Sequence, residues 1–230
     1  MTERPLPGDP SVTLTLRRSR AARRFSLRVS RIDGRITLTI PARAAEREAM
    51  AFAAAQAEWI RQALARSAPQ KRVGLGAEVP FEGRLVRLVA GPVRAARVEG
   101  GEMILPGDPA RAAGRAEAFL KLAARVRLQA ACERYSSEVG RDFRRITLRD
   151  TRSRWGSCAH DGSLMFNWRL IMAPPEVLDY VAAHEVAHLV EMNHSSDFWA
   201  VVERLMPGHA RHRRWIKSEG GGLHAYLFRD

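Results

Sequence analysis

Residues 184–194 read His-Glu-Val-Ala-His-Leu-Val-Glu-Met-Asn-His, and this stretch constrains the chain more than any other. His184 and His188 are four positions apart, so on a helix they project from one face and can share a metal ion. Glu185 is displaced around the helix, where its carboxylate can reach a water molecule at that metal without binding the metal. Residues 176–190 are apolar nearly all round, which predicts a buried helix. Buried histidines and a buried glutamate need polar partners, and a metal ion provides them.

A third ligand must come from outside this helix. His194 follows His188 by six residues, and a chain that bends back after the helix would deliver it. Glu203 is the competing candidate and would give a site of two histidines and one carboxylate. We favour His194, with Asn193 in the left-handed backbone conformation at the bend. Three protein ligands leave the fourth position of Zn²⁺ open for water, which is typical of catalytic rather than structural zinc sites.

Length and composition limit the class of protein. A chain of 230 residues can bury a core in one domain, or in one domain plus a small module. The sequence has neither an apolar run long enough to span a membrane nor a signal-peptide core, which predicts a cytoplasmic protein without a membrane partner. Cys132 and Cys158 are the two cysteines and form no Cys-x-x-Cys pair, so a disulfide framework is not expected.

The net charge of +13 is unevenly distributed. Residues 1–75 carry +9 and residues 111–154 carry +7, whereas residues 155–230 carry −2. A basic stripe can neutralise phosphates, so weak nucleic-acid association through these segments is one interpretation. The other is a solvated surface, because no aromatic residues are interleaved with the arginines as a single-strand binder would need.

Periodicity predicts an α+β fold whose first part is β-rich. Residues 11–17, 25–31 and 35–40 alternate apolar and polar side chains, and Asp33-Gly34 is a hairpin signal, so we expect a small antiparallel meander. A helix is expected at about 44–67, with Trp59 and Ile60 on its buried side. Short strands punctuated by glycine follow over residues 76–105.

A second run of elements leads to the histidine motif. The apolar spacing predicts a long helix over 110–139, and residues 144–149 and 163–172 read as strands. The strand at 163–172 is either the edge strand that pairs with an extended substrate or an interior strand. After the motif helix, a helix at about 195–205 begins at Ser195 or Ser196 as the capping residue.

Several short motifs together resemble one family. They are Arg154-Trp155-Gly156-Ser157-Cys158, Asn167-Trp168-Arg169-Leu170-Ile171, Ala173-Pro174, Asp179-Tyr180-Val181, His184-Glu185-x-x-His188-Leu189, Asn193-His194-Ser195 and Phe198-Trp199. With these residues the chain resembles the YgjP-like metallopeptidases, zincin proteases similar in core to the SprT-like proteases. Metzincins share the histidine spacing, but they have glycine at the position of Glu191.

The resemblance implies a zinc-dependent peptidase that acts on a protein or peptide. It implies His184, His188 and His194 as zinc ligands and Glu185 as general base. The zincin-like catalytic domain with a small sheet would occupy residues 110–230, after an N-terminal β-rich region at 1–109.

Further residues near the motif are candidates for substrate binding or oxyanion stabilisation. Substrate-binding candidates are Arg154, Trp155 and Asn167, and Trp155 either lines the cleft or packs in the core. Cys158 either approaches the zinc or is a small buried thiol. The positions that could stabilise an oxyanion are Arg154, Arg213, His209, His212 and Tyr226.

Three alternative functions use the same residues differently. A metal-dependent phosphohydrolase would act on nucleotides, although the sequence has no glycine-rich phosphate loop. A DNA-associated protease of the SprT-like type would act on partners bound to DNA. A zinc-stabilised structural domain would bind the metal without turnover.

Overall fold

The N-terminal strands form a mixed sheet in the computed structural model, which describes residues 2–30, 34–65 and 70–229. The strands are β1 (Thr2–Leu6), β2 (Asp9–Ser19), β3 (Ser26–Val29) and β4 (Ile36–Pro41), in the order β1-β2-β4-β3. Strands β2 and β4 run parallel, so the predicted antiparallel meander is wrong. After the connection over residues 20–25, β3 lies at the edge of the sheet, and β4 lies between β2 and β3.

The turn between β3 and β4 closes as a hairpin. The Ser30 N–H donates to the Arg35 carbonyl oxygen at 2.9 Å, and Gly34 has φ +67°, a conformation that glycine adopts without a steric penalty. Asp33, the other half of the turn signal, and Arg31, at the end of the predicted strand, lie outside the described residues.

Two helices replace the single helix predicted at 44–67. They are α1 (Glu46–Ala55) and α2 (Ala57–Ala65), and they are separated by Gln56, whose φ of −102° and ψ of 12° are not helical. Ile60 is fully buried as predicted, but Trp59 is 46% exposed. Adjacent helical residues point about 100° apart, so only one of the two can face the sheet. The last two predicted residues, 66–67, lie outside the described residues.

The remaining strands and helices belong to a second compact unit. Contacts divide the chain into Met1–Gln70 and Lys71–Asp230, earlier than the boundary expected near residue 109. The strands β5 (Lys71–Arg72), β6 (Glu78–Phe81), β7 (Arg84–Gly91), β8 (Arg97–Glu99) and β9 (Glu102–Pro106) precede the helix α3 (Ala112–Val139). Buried side chains of β7 and β9, such as Leu88 and Met103, share one core with Leu120 of α3, so this sheet belongs with the motif-bearing part of the chain.

A three-stranded sheet precedes the motif helix. It contains β10 (Arg145–Arg149), β11 (Gly156–Cys158) and β12 (Ser163–Asn167), with β12 between the other two. The predicted strand at 163–172 is therefore shorter and is the interior strand. It ends because the Asn167 side chain accepts a hydrogen bond from the Arg169 N–H at 2.9 Å and caps a 3₁₀ helix over Trp168–Met172.

Three helices follow this sheet. They are α4 (Pro175–Ala187), α5 (Ser196–Leu205) and α6 (Ala210–Ser218), and the short β13 (Tyr226–Leu227) then pairs in parallel with β5. Helix α4 is buried on most of its surface, as predicted. Ser195 caps α5 by accepting a hydrogen bond from the Phe198 N–H. The architecture is α+β, and none of the described helices is both long and apolar enough to cross a membrane.

Arg169 connects three segments around this sheet. Its guanidinium donates to both carboxylate oxygens of Asp150, at 2.8 and 3.1 Å, and to the carbonyl oxygens of Leu223 and Tyr226, at 3.0 and 2.9 Å. Burial raises the pKa of Asp150, but the hydrogen bond and charge of Arg169 outweigh burial, so this pKa lies below its ordinary value. One buried side chain thus links the 3₁₀ helix, the end of β10 and the C-terminal segment.

Replacing Arg169 should destabilise the fold. We expect Arg169→Met to lower the free energy of unfolding by roughly 2–4 kcal/mol, because two carbonyl oxygens and a carboxylate lose their donor. Urea unfolding measures this, with Arg149→Gln, at an exposed position of β10, as a control that should change stability by less than about 0.5 kcal/mol. Equal stability of the two variants would contradict the linking role.

Candidate metal centre

Three histidines converge beside the end of α4. His184 lies in α4, His188 is the residue directly after it, and His194 precedes α5. One ring nitrogen from each lies within 4.8 Å of the others, and the Nε2 atoms of His184 and His194 are 3.1 Å apart. The arrangement matches the donor set of a metal site in which each histidine gives one nitrogen.

The bend that brings in His194 uses a side chain instead of backbone strain. Glu82 is the only non-glycine residue with positive φ among the described residues, so Asn193 does not adopt the left-handed conformation that we expected. Its side-chain oxygen instead accepts a hydrogen bond from the Ser195 N–H at 3.0 Å. The Glu191 N–H donates to the Ala187 carbonyl oxygen at 3.0 Å and closes the turn after α4.

The histidines are suited to metal binding in their protonation state. Burial lowers the pKa of His184 to about 3, and the neighbouring histidines and Arg213 add to this effect. Burial also lowers the pKa of His188. Nδ1 of His188 lies 2.9 Å from the Glu191 carbonyl oxygen, which assigns the proton to Nδ1 and leaves Nε2 free as a ligand. The buried Nδ1 of His184 has no hydrogen-bond partner among the described residues.

The Glu185 side chain extends from α4 to β11. A Cβ atom at Gly156 would be 2.5 Å from the Glu185 Oε1 atom, so the carboxylate occupies the space that a side chain at 156 would need. Burial raises the pKa of Glu185 to about 8, against the charge of Arg154 and a backbone hydrogen bond from Cys158. The carboxyl group is therefore desolvated, with a backbone donor and a cation nearby.

Aromatic side chains enclose the histidines. Phe198 is fully buried, and its ring centroid lies 4.4 Å from that of His188 and 4.9 Å from that of His184. Next to them, a cavity of about 540 Å³ has His184 and His194 on one side. Its other lining residues are Tyr180, Trp199, Arg213, Ile216 and Lys217. Sequence reasoning gave Tyr180 and Lys217 no site role.

Glu203 and Cys158 lie outside the group of three histidines. The Glu203 carboxylate accepts a hydrogen bond from the Gly208 N–H at 3.0 Å and lies 3.3 Å from Nε2 of His209. Cys158 is half-buried, and burial raises the pKa of its thiol to about 11. The thiol is therefore protonated at neutral pH and is a poor metal ligand in that state.

The three substrate-binding candidates lie in different environments. Asn167 is fully buried, its side-chain nitrogen donates to the Thr151 carbonyl oxygen, and its oxygen caps the 3₁₀ helix. Both polar atoms of this amide are used within the chain and hold the loop before β11, so a substrate contact of Asn167 stays a prediction. Trp155 is half-buried, with its ring centroid 5.1 Å from that of His224. Arg154 is exposed.

The candidates for oxyanion stabilisation also differ in their contacts. His209 stacks on Tyr180 and Trp199, His212 accepts a hydrogen bond from Arg211, and the Tyr226 hydroxyl accepts one from Lys71. Three candidates act on the centre, and His209 and Arg213 both contribute to the lowered pKa of His184. Arg154 acts electrostatically on Glu185, and Arg213 lines the cavity beside His184.

The sequence belongs to a known family. A family model described as "YgjP-like, metallopeptidase domain" matches residues 23–219, and the chain therefore belongs to the YgjP-like family of metallopeptidases. No curated protein matches the sequence. One similar solved structure is the metallopeptidase zymogen of Pyrococcus abyssi abylysin, at 22% identity and a TM-score of 0.36 over 40% of this chain and 95% of that chain.

Acidification should lower the free energy of unfolding, because His224, which packs against Trp155, is buried in its neutral form. Burial and the charge of Arg169 lower its pKa from 6.5 to about 4. Between pH 6.5 and 4, His224 is protonated in the unfolded chain but not in the folded one. The contribution of His224 to the free energy of unfolding is therefore complete above pH 6.5 and is lost as the pH falls toward 4. Urea unfolding at pH 7.5, 5.5 and 4.5 should show up to roughly 3 kcal/mol more loss in the wild type than in His224→Gln. Parallel losses in both proteins would contradict this.

Proposed function

We propose that the protein is a zinc-dependent peptidase in which His184, His188 and His194 bind Zn²⁺ and Glu185 is the general base. The observation that carries this proposal is the convergence of three imidazoles, two of them with lowered pKa values, beside a buried carboxyl group. The exposed side of His194 leaves room for a substrate. A structural zinc site would not need a desolvated carboxylate next to its ligands.

The chemistry divides between the metal and the chain. Zinc held by three protein ligands supplies Lewis acidity, which polarises a carbonyl group and lowers the pKa of water. The Glu185 carboxylate accepts a proton from water as the water oxygen attacks the peptide carbonyl carbon. Glu185 then returns that proton to the leaving amine nitrogen when the C–N bond breaks. The first step requires the ionised form of Glu185. The Cys158 N–H and the positive charge of Arg154 favour this form against the burial that raises its pKa to about 8, and the charge of a bound metal ion would favour it further.

Strand β11 is the candidate for binding an extended substrate. It is an edge strand of its sheet, and it packs against α4 at Glu185. The interior strand β12 has neighbours on both sides, so it is excluded from this role. Gly156 and Cys158 of β11 contact the general base Glu185. An extended peptide that pairs with the free edge of β11 would therefore pass beside Glu185.

Zinc binding and turnover should separate by mutation. We expect about one zinc per chain in the wild type and in Glu185→Gln, and a marked loss in His194→Ala, because only the last removes a ligand. Elemental mass spectrometry measures the content, and Glu203→Gln is the matched control for the competing carboxylate. Loss of zinc in Glu203→Gln but not in His194→Ala would reverse the ligand assignment.

Hydrolysis assays distinguish the peptidase from the nucleotide phosphohydrolase. The zinc-loaded wild type should cleave casein or a peptide mixture, and Glu185→Gln should lose at least about a hundredfold in rate because the proton acceptor is gone. Nucleoside triphosphates are the parallel substrates. Consumption of triphosphate alone, and only by the wild type, would reject the peptidase function.

The N-terminal unit has a surface that favours nucleic-acid association as a second function. Arg17 and Thr39 lie opposite each other in register, as do Arg28 and Thr37. The buried side chains of Leu16 and Leu38 point to the opposite face of the sheet. Exposed arginines also occupy the connection between β2 and β3, at positions 20, 23 and 24. Arginine and hydroxyl groups on one face are donors suited to phosphates.

This surface predicts salt-dependent binding of a DNA duplex. We expect affinity to fall with added salt, and Arg17→Gln with Arg28→Gln to reduce the slope of log K against log salt by about 2. Arg47→Gln with Arg61→Gln, on α1 and α2, removes the same charge from the helical side. Fluorescence anisotropy at 50–200 mM salt measures both. No binding at low salt, or equal effects of the two pairs, would reject this surface.

A further inference from the structure

Two cations line the same cavity as two of the histidines. Arg213 and Lys217 are four residues apart on α6, so they project from the same face of that helix. Both line the cavity that also contains His184 and His194. A group bound by these cations would therefore lie next to the candidate metal centre.

An aromatic ring orients Arg213. Its guanidinium carbon lies 4.3 Å from the ring centroid of Trp199, a distance typical of arginine over an aromatic face. A guanidinium group that stacks on a ring keeps the N–H groups along its edge free to donate. Trp199 and Ile216 give the same cavity an apolar wall.

Neither cation has a counterion within the described part of the chain. The ion pairs and side-chain hydrogen bonds found there involve neither Arg213 nor Lys217. Arg213 is half-buried, where an unpaired charge is less well solvated than at the surface. The buried Arg169, by contrast, has the carboxylate of Asp150 as its partner. An anion from outside the chain would complete the Arg213 environment.

We propose that Arg213 and Lys217 form a subsite that binds a carboxylate of the substrate beside the scissile peptide bond. This inference rests on the proposed peptidase function and adds a substrate class, peptides with an acidic group near the cleaved bond. A carboxylate accepts two parallel hydrogen bonds from a guanidinium edge, and the Lys217 ammonium adds a third donor. The methylene groups of the substrate residue that carries the carboxylate would pack on the apolar wall formed by Trp199 and Ile216. An aspartate or glutamate side chain and a C-terminal carboxylate offer the same chemistry.

Matched peptides test the subsite through cleavage. Pairs that differ only by Glu or Gln at one position, and pairs that end in an acid or an amide, are incubated with zinc-loaded protein and analysed by mass spectrometry. The acidic member of one pair type should have a kcat/KM at least about tenfold higher, and this ratio should fall toward one in Arg213→Gln and in the double variant with Lys217→Gln. Arg213→Lys should retain part of the preference.

Arg214 provides the control on the same helix. It is exposed and does not line the cavity, so Arg214→Gln should keep the wild-type ratio. Equal thermal midpoints for Arg213→Gln and Arg214→Gln exclude misfolding as the cause of a change. The pair type that shows the preference identifies the source of the carboxylate, a side chain or the C-terminus.

Binding to the metal-free protein gives a readout that needs no turnover. The probes are acetyl-glycine against acetyl-glycinamide, and acetyl-glutamate α-amide against acetyl-glutamine α-amide, followed by ligand-observed NMR. A carboxylate probe should bind to the wild type and to Arg214→Gln, and more weakly to Arg213→Gln. Cleavage without acidic preference and without carboxylate binding would overturn the subsite and leave the peptidase function standing. Selective binding without cleavage of any peptide would support the subsite and reject the peptidase function.

Discussion

The guanidinium of Arg169 is the contact on which the geometry around the candidate centre depends. It pairs with Asp150 at the end of β10 and with two carbonyl oxygens of the C-terminal segment. The backbone N–H of Arg169 donates to the side-chain oxygen of Asn167, and the backbone N–H of Asn167 donates to the Trp155 carbonyl oxygen. The residues that lead into β11 are thus fixed by a buried polar network. Such a network is rigid when every member is satisfied, and it is costly to disturb.

The position of β11 in turn determines the environment of Glu185. A buried carboxylate is expensive to ionise, and the chain offsets part of this cost with the Cys158 N–H and the charge of Arg154. Both groups belong to the segment that the Arg169 network holds. The absence of a side chain at Gly156 lets α4 and β11 approach closely enough for this contact. Stability of the sheet and the chemistry of the carboxyl group therefore depend on the same few residues.

Sequence reasoning predicted the elements whose signal is local. The long helix α3, the buried α4 and the Ser195 cap follow from apolar spacing and capping chemistry, and the structure confirms them. It did not predict the strand order, because the parallel pairing of β2 with β4 depends on contacts distant in the sequence. The hydrogen bonds of Asn167 are equally non-local, since its partners Thr151 and Trp155 meet it only in the folded chain.

Within the site, the motif spacing predicted which histidines converge but not what surrounds them. His184 and His188 are one helical turn apart, and a single bend brings in His194, so local geometry is sufficient. Helix α6 adds Arg213 and Lys217 to the cavity lining; the sequence offers Arg213 only as one of five possible oxyanion-stabilising residues, and Lys217 carries no motif. Only the fold shows that these cations line one cavity with His184 and His194.

The short length of β11 also bears on how the protein behaves at high concentration. An open strand edge is a template for any extended chain, including a second copy of the same protein. Strand β11 has only three residues, and the exposed Arg154 lies just before it. Few backbone hydrogen bonds and a repelling charge are features that discourage edge-to-edge pairing. The protein can therefore keep one edge of this sheet open without that edge becoming a route to aggregation.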